Sequence, residues 1–117
     1  MDIPKMKTSH GREVKLYTGS NANTSITICI KDEAGDAISV TTWDVKCLVK
    51  ESLDATTNIV AAITGTDPGT TGYKAFDFTN ENITSTYSDA VIIFYRTVGT
   101  EKYVLKQLSI DVEKSGL

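Results

Sequence analysis

The sequence is poor in the residues on which most enzymes and metal sites depend. It has one histidine, His10, and two cysteines, with no CxxC pair and no histidine beside either thiol. A zinc site usually needs three or four His, Cys or carboxylate ligands, and the motifs GxSxG, HExxH, GxGxxG and the P-loop are all missing. We therefore predict that the protein is not an enzyme and carries no metal and no cofactor.

Long apolar runs and a strong charge of one sign are missing as well. No segment approaches the roughly 18 apolar residues of a membrane helix, and the first residues, MDIPKMKTSHGREVKL, lack the apolar stretch of a secretory signal. The 12 basic residues are scattered among 15 acidic ones, for a net charge of −3. We expect neither a membrane nor a nucleic-acid partner. The two cysteines, for which we expect no disulfide, are typical of a protein in a reducing cytoplasm.

What the chain does have is an excess of β-branched side chains. Valine, isoleucine and threonine number 9, 11 and 17, together 37 of the 117 residues. These side chains are stiff at Cβ and suit a pleated strand better than a helix. The length suits one domain, so the composition predicts a small all-β module.

Short alternating segments separated by turn residues support that class. They lie at 12–17, 24–31, 42–50, 58–63, 72–78, 89–96 and 102–112, and the segment 79–86 is either extended or one helical turn. We predict an immunoglobulin-like antiparallel two-sheet sandwich of seven to eight strands, with a closed small barrel as the alternative. The predicted organisation is an N-terminal arm at 1–11 and a single β-sandwich domain at 12–117.

Strand parity predicts which side chains face the core. Residues i and i+2 share a face, which predicts a core set of Ile26, Ile28, Ile30, Val45, Val49, Leu108 and Ile110. Cys47 falls on the buried face of its strand with Trp43, whereas Cys29 falls on the outer side of its own. A disulfide needs the two Cβ atoms about 4 Å apart, so we expect two free thiols. The last strand is expected to place Val104 on the same face as Leu108, Ile110 and Val112.

Two acidic groups and one set of aromatics offer functional alternatives. Asp32, Glu33 and Asp36 could serve a calcium ion, but the spacing departs from a calcium loop and favours a solvated turn. Asp77 and Glu81 could suggest a glycosidase pair, although they are expected on outward faces. A carbohydrate-binding sandwich would need an exposed tyrosine platform, and parity predicts that Tyr95 faces solvent.

The N-terminal arm is the candidate partner interface. It contains Ile3, Pro4 and Met6 without strand alternation of its own. We expect these residues to dock on a neighbouring chain in preference to their own domain, with Leu117 at the other terminus as a further interface residue.

The order of segments carries a family resemblance. The relevant stretches are VKLYTGSNANTSITICIKDEAGDAI, SVTTWDVKCLVKES, GYKAFDFT and DAVIIFYRTVGTEKYVLKQLSIDV. Together they resemble the small β-sandwich modules of tailed bacteriophages, in particular the N-terminal Ig-like domain of baseplate upper proteins. The chain departs from that family at Ser88-Asp89-Ala90, where the family commonly has Gly-x-Tyr.

The resemblance implies a non-enzymatic virion structural protein that acts by subunit packing. The implied position is a tail, baseplate, neck or capsid decoration, reached after synthesis and assembly in the host cytoplasm. The implied partners are other virion proteins and copies of the chain itself. The alternative function is a carbohydrate- or cell-surface-binding module.

Overall fold

The computed structural model describes residues 5–8, 15–20 and 22–115, which form strands and no helix. The strands are β1 (Lys5–Thr8), β2 (Leu16–Tyr17), β3 (Gly19–Ser20), β4 (Ile26–Lys31), β5 (Asp44–Lys50), β6 (Asn58–Thr64), β7 (Tyr73–Phe76), β8 (Asn82–Ile83), β9 (Tyr87–Val98) and β10 (Glu101–Glu113). The predicted all-β class is confirmed. None of these residues belongs to a helix long and apolar enough to cross a bilayer.

The strands form three sheets. Sheet A has the order β1-β4-β7, sheet B the order β2-β10-β9-β5-β6, and β3 pairs with β8 in a two-stranded sheet. Within sheet B, β2 runs parallel to β10 and the other neighbours are antiparallel. This arrangement is consistent with a β-sandwich.

One hydrophobic cluster lies between sheets A and B. It draws on Ile28 and Ile30 of β4, Val45 and Val49 of β5, and further residues of β7, β9 and β10. The rings of Phe76 on β7 and Phe94 on β9 meet at 5.3 Å between centroids and 60° between planes, a favourable tilted geometry. Most of the predicted core set is buried, while Ile26 and Leu108 are partly buried against the cluster.

The two sheets approach each other at one edge through short backbone contacts. Thr66, just beyond β6, exchanges hydrogen bonds with Ala75 of β7 at 2.8 and 2.9 Å. The preceding Gly65 stays in sheet B, where its N–H donates to the Val45 carbonyl of β5 at 2.7 Å. Gly72, before β7, has a φ of 86°, and a Cβ there would lie 2.9 Å from the Ala37 Cβ. Only glycine fits this position without strain.

Part of the predicted arm pairs with its own chain. The strand β1 runs antiparallel to β4, with Lys5 opposite Lys31 and Thr8 opposite Ile28. The interface residues Ile3, Pro4 and Leu117 lie outside the described residues, and Met6 is placed only by its backbone register opposite Ile30. Their role in docking therefore stays a prediction.

The strand predictions match the structure within a few residues, apart from the shortest elements. The described ranges contain ten strands rather than seven or eight, because β1, β3 and β8 are short pairings that carry little alternation. The ambiguous segment 79–86 contains the strand β8 (Asn82–Ile83) and no helical turn.

A bulge in β10 changes the predicted face of one residue. Val104 pairs with Tyr95 and Lys106 with Phe94, so Leu105 is an extra residue in β10. The bulge shifts the parity of the strand, and Val104 therefore lies on the opposite face from Leu108 and Ile110. The prediction that it shares their face is wrong; Val104 is 51 % exposed, whereas Leu105 packs against the core.

Candidate interaction surface on the β9–β10 hairpin

The outer half of the β9–β10 hairpin is the most apolar exposed part of the described chain. Strands β9 and β10 are joined by Gly99 and Thr100, with Gly99 at a φ of 61° as a two-residue hairpin turn requires. Of the four large hydrophobic side chains exposed among the described residues, three lie here: Val98 at 46 %, Tyr103 at 45 % and Val104 at 51 %. Val98 and Tyr103 share a face with Arg96, whereas Val104 lies on the opposite face of the hairpin. We call Arg96, Val98 and Tyr103 the hairpin patch.

Arg96 gives this patch a positive charge held in place by an aromatic ring. Its guanidinium carbon lies 3.7 Å from the centroid of the Trp43 ring, a cation–π contact. Its Nε atom is buried and has no hydrogen-bond partner among the described residues. The pairing of β5 with β9 accounts for the contact between Arg96 and Trp43. Arg96 lies opposite Val45 in β5, and Trp43 precedes Val45 by two positions on the same face.

Trp43 therefore has a second role besides the core position that parity predicted. It is half-buried and packs against the hydrophobic cluster. Its ring also carries Arg96 at the end of sheet B that lies nearest the hairpin turn. Sequence parity identified the inward face but contained no signal for the arginine, which lies 53 positions away along the chain.

Tyr95 does not face solvent, contrary to the sequence prediction. It lies on the outer face of sheet B, as parity requires, but is only 7 % exposed. In the register it sits between Lys46 of β5 and Val104 of β10, and the Lys102 ammonium lies 5.5 Å from its ring. Long lysine stems can cover apolar surface while their charges stay in water. The tyrosines that a glycan platform could use are Tyr17, Tyr73, Tyr87, Tyr95 and Tyr103, and of these Tyr103 alone is exposed.

Both cysteines are free, as predicted, and both are buried. Cys29 occupies the outer side of β4, where Lys7 of β1 and Tyr73 of β7 flank it in the register. Because β4 is the middle strand of sheet A, Cys29 is only 4 % exposed although it lies on the outer side of the sheet.

Cys47 has the properties of a structural thiol. Burial raises the pKa of the Cys47 thiol to about 12, and the negative charge of Glu81 adds to the rise. The thiolate is the nucleophilic form of cysteine, so Cys47 stays protonated and weakly reactive near neutral pH. Its contribution is to packing.

Two buried polar side chains were not recognised in the sequence. Asn23, 5 % exposed, accepts a hydrogen bond from the Tyr17 N–H at 2.8 Å and donates one to the Tyr17 carbonyl at 2.9 Å. It thus holds the segment that precedes β4 to β2 as a neighbouring strand would. Lys74, 3 % exposed, lies opposite Ile28 in the register of sheet A. The sequence around Asn23 and Lys74 contains no pattern that would distinguish these buried residues from surface residues.

The acidic groups form turns. Asp32 Oδ1 accepts the Asp36 N–H at 2.9 Å, and the Gly35 N–H donates to the Asp32 carbonyl at 3.0 Å. Within the described ranges no three His, Cys, Asp or Glu side chains are grouped as metal ligands would be.

Asp77, the candidate for a glycosidase pair, also belongs to a turn. The Thr79 hydroxyl and N–H donate to its Oδ1 at 2.6 and 2.9 Å. The bond from the Thr79 hydroxyl, and to a lesser degree the bond from its N–H, hold the pKa of Asp77 below its usual value. A general acid of a glycosidase instead needs a raised pKa.

Comparisons with known proteins identify no family for this chain. No protein-family model matches it, and no curated protein matches it significantly. The arguments about function therefore depend on the geometry and on the sequence resemblance described above.

Proposed function

We propose that this chain is a non-enzymatic structural protein of a bacteriophage virion that acts by packing against neighbouring subunits. The observation that carries the proposal is the concentration of exposed apolar side chains on the outer half of the β9–β10 hairpin. Contiguous exposed apolar residues mark interaction surfaces more often than solvated ones. Tyrosine and arginine, both present in the hairpin patch, are among the residues that contribute most to protein interfaces.

The proposed fold within the sandwich class is immunoglobulin-like. In that fold one sheet carries the strands A, B and E, and the other carries G, F, C and, in the variable type, C′. The order β1-β4-β7 corresponds to A-B-E, and the order β10-β9-β5-β6 corresponds to G-F-C-C′. This correspondence of order in both sheets supports the proposal more strongly than strand number does.

The proposed fold departs from antibody domains in two respects. The two cysteines form no bridge between the sheets, and Trp43 is half-buried beneath Arg96. Neither departure changes the strand order. Both fit a module that is stabilised by its apolar core alone.

Quantitative mass spectrometry of purified phage particles tests the virion assignment. A packing subunit is expected in every particle in many copies, at a constant ratio to the major structural proteins after repeated density-gradient purification. A matched lysate fraction depleted of particles serves as the control. Recovery of the chain only in that soluble fraction would contradict the proposal.

A further inference from the structure

Sheet B has two chemically different ends. In the register of β5 with β9, Asp44 lies opposite Thr97 and Lys50 lies opposite Val91. The β9–β10 turn therefore extends beyond one end of the sheet, and the β5–β6 loop at 51–57 extends beyond the other. The molecule measures 40 Å along its longest axis.

The hairpin end is apolar and basic. Val98, Tyr103 and Val104 are exposed there, and the register places Tyr103 beside Arg96 and Val104 beside Tyr95, on opposite faces of the hairpin. In this half Arg96 and Lys102 stand against the carboxylate of Glu101, and the neighbouring Asp44 of β5 is paired with Lys46 at 3.4 Å. A basic end is notable on a chain whose net charge is −3.

The opposite end is apolar and acidic. Leu53, at 56 %, is the most exposed large hydrophobic side chain among the described residues. Glu51 and Asp54, both exposed, flank it, and the loop sequence ESLDATT contains no lysine or arginine, although Lys50 precedes it at the end of β5. We call Glu51, Leu53 and Asp54 the loop patch.

We propose that the occupant of the hairpin patch is the loop patch of a second copy of this chain. The inference rests on the proposed packing function and names the surfaces through which copies meet. Three of the four exposed large hydrophobic side chains of the described residues lie in these two patches, and the charges of the patches are opposite. Contact between two hairpin patches would instead bring like charges together, which is unfavourable.

The contact is head-to-tail, because its two surfaces are different and lie at opposite ends of sheet B. A heterologous contact of this kind generates a closed ring where the rotation between copies closes and an open fibre where it does not. Either product is an array of many copies.

The test uses two variants that each remove one patch without adding charge. Leu53→Gln alters the loop patch and Tyr103→Gln alters the hairpin patch; both side chains are exposed, so folding is expected to be retained and is checked by circular dichroism. Ala61→Gln, exposed on β6 away from both patches, is the matched control. Association is measured by sedimentation velocity across a concentration series up to the millimolar range.

The wild-type chain and Ala61→Gln are expected to grow beyond dimers with rising concentration. Each patch variant is expected to weaken self-association by about tenfold or more. An equimolar mixture of the two variants is expected to stop at a one-to-one complex, because it contains one intact hairpin patch and one intact loop patch.

Three results would overturn the inference. A wild-type chain that stays monomeric at millimolar concentration shows that the patches do not bind each other. Loss of association in Tyr103→Gln alone, with no complex in the mixture, shows a symmetric hairpin contact. Wild-type association in both variants shows packing through another surface, and in that case the packing proposal itself stands.

Discussion

The two halves of the β9–β10 hairpin share the same antiparallel backbone pairing, but the side chains of one half are buried and those of the other are exposed. In the inner half Ala90, Ile92 and Phe94 are fully buried, whereas in the outer half Val98 and Tyr103 are almost half exposed. Both halves belong to one antiparallel ladder that continues to the turn. The difference arises because the core that sheet A helps to form covers only the inner half. Strand pairing satisfies the backbone, but a second layer is needed to bury side chains.

The bulge at Leu105 marks the boundary between these halves. On its inner side β10 contributes Ile110 and Val112 to the core, and on its outer side Val104 faces solvent. Three substitutions, two at buried positions and one at an exposed position, test whether the buried side chains stabilise the fold and the exposed one does not. They are ordered by the size of the expected effect.

Phe94→Ala is expected to have the largest effect. Phe94 is fully buried and packs against Phe76 at 5.3 Å between ring centroids, so its truncation leaves a cavity between the two sheets. The free energy of unfolding, measured by urea denaturation, should fall by about 3–5 kcal/mol. A loss below about 1 kcal/mol would contradict the view that the inner half is the stabilising core.

Cys47 should make the core sensitive to alkaline pH. Its pKa is raised to about 12 in the folded chain, above the roughly 8.5 of an unfolded thiol. The protonated thiol therefore stabilises the fold fully below the unfolded value, and this contribution is lost as pH rises through the interval between the two. By about pH 10.5 the loss should reach about 3 kcal/mol.

The comparison variant for this titration is Cys47→Ala, because other groups also ionise at high pH. The destabilisation caused by Cys47→Ala should shrink as the pH rises from about 8 to about 10.5. A destabilisation that is constant over that interval would mean that the Cys47 thiol is not protected in the folded state.

Val104→Thr should have the smallest effect. The side chain is 51 % exposed, and threonine keeps the β-branched shape that suits a strand. The free energy of unfolding should change by less than about 0.5 kcal/mol in urea titrations of the dilute chain. A loss above about 1.5 kcal/mol would show that the outer half is already buried in the single chain.

Alternation along the chain was sufficient to predict several parts of this structure. It identified the strands β4 and β5, the inward faces of Ile28, Ile30 and Val45, and the two free thiols. These predictions succeeded because a period of two follows directly from the pleated backbone. They concern only relations within a single strand.

Two predictions that required knowledge of neighbouring strands were wrong. Tyr95 lies on the predicted outer face but is covered, because Lys46 and Val104 flank it in neighbouring strands. Val104 lies on the unexpected face because a bulge in β10 shifts the parity. Bulges and lateral neighbours depend on strand partners that are distant in sequence.

The sequence by itself determined the fold class, the alternation of faces within the long strands and the unpaired state of the two cysteines, since each follows from local backbone geometry. Only the tertiary structure decided which half of the β9–β10 hairpin is covered and that Arg96 meets Trp43. It also placed the basic hairpin and the acidic 51–57 loop at opposite ends of sheet B. Those features depend on strand order and register, which bring together residues that are far apart along the chain.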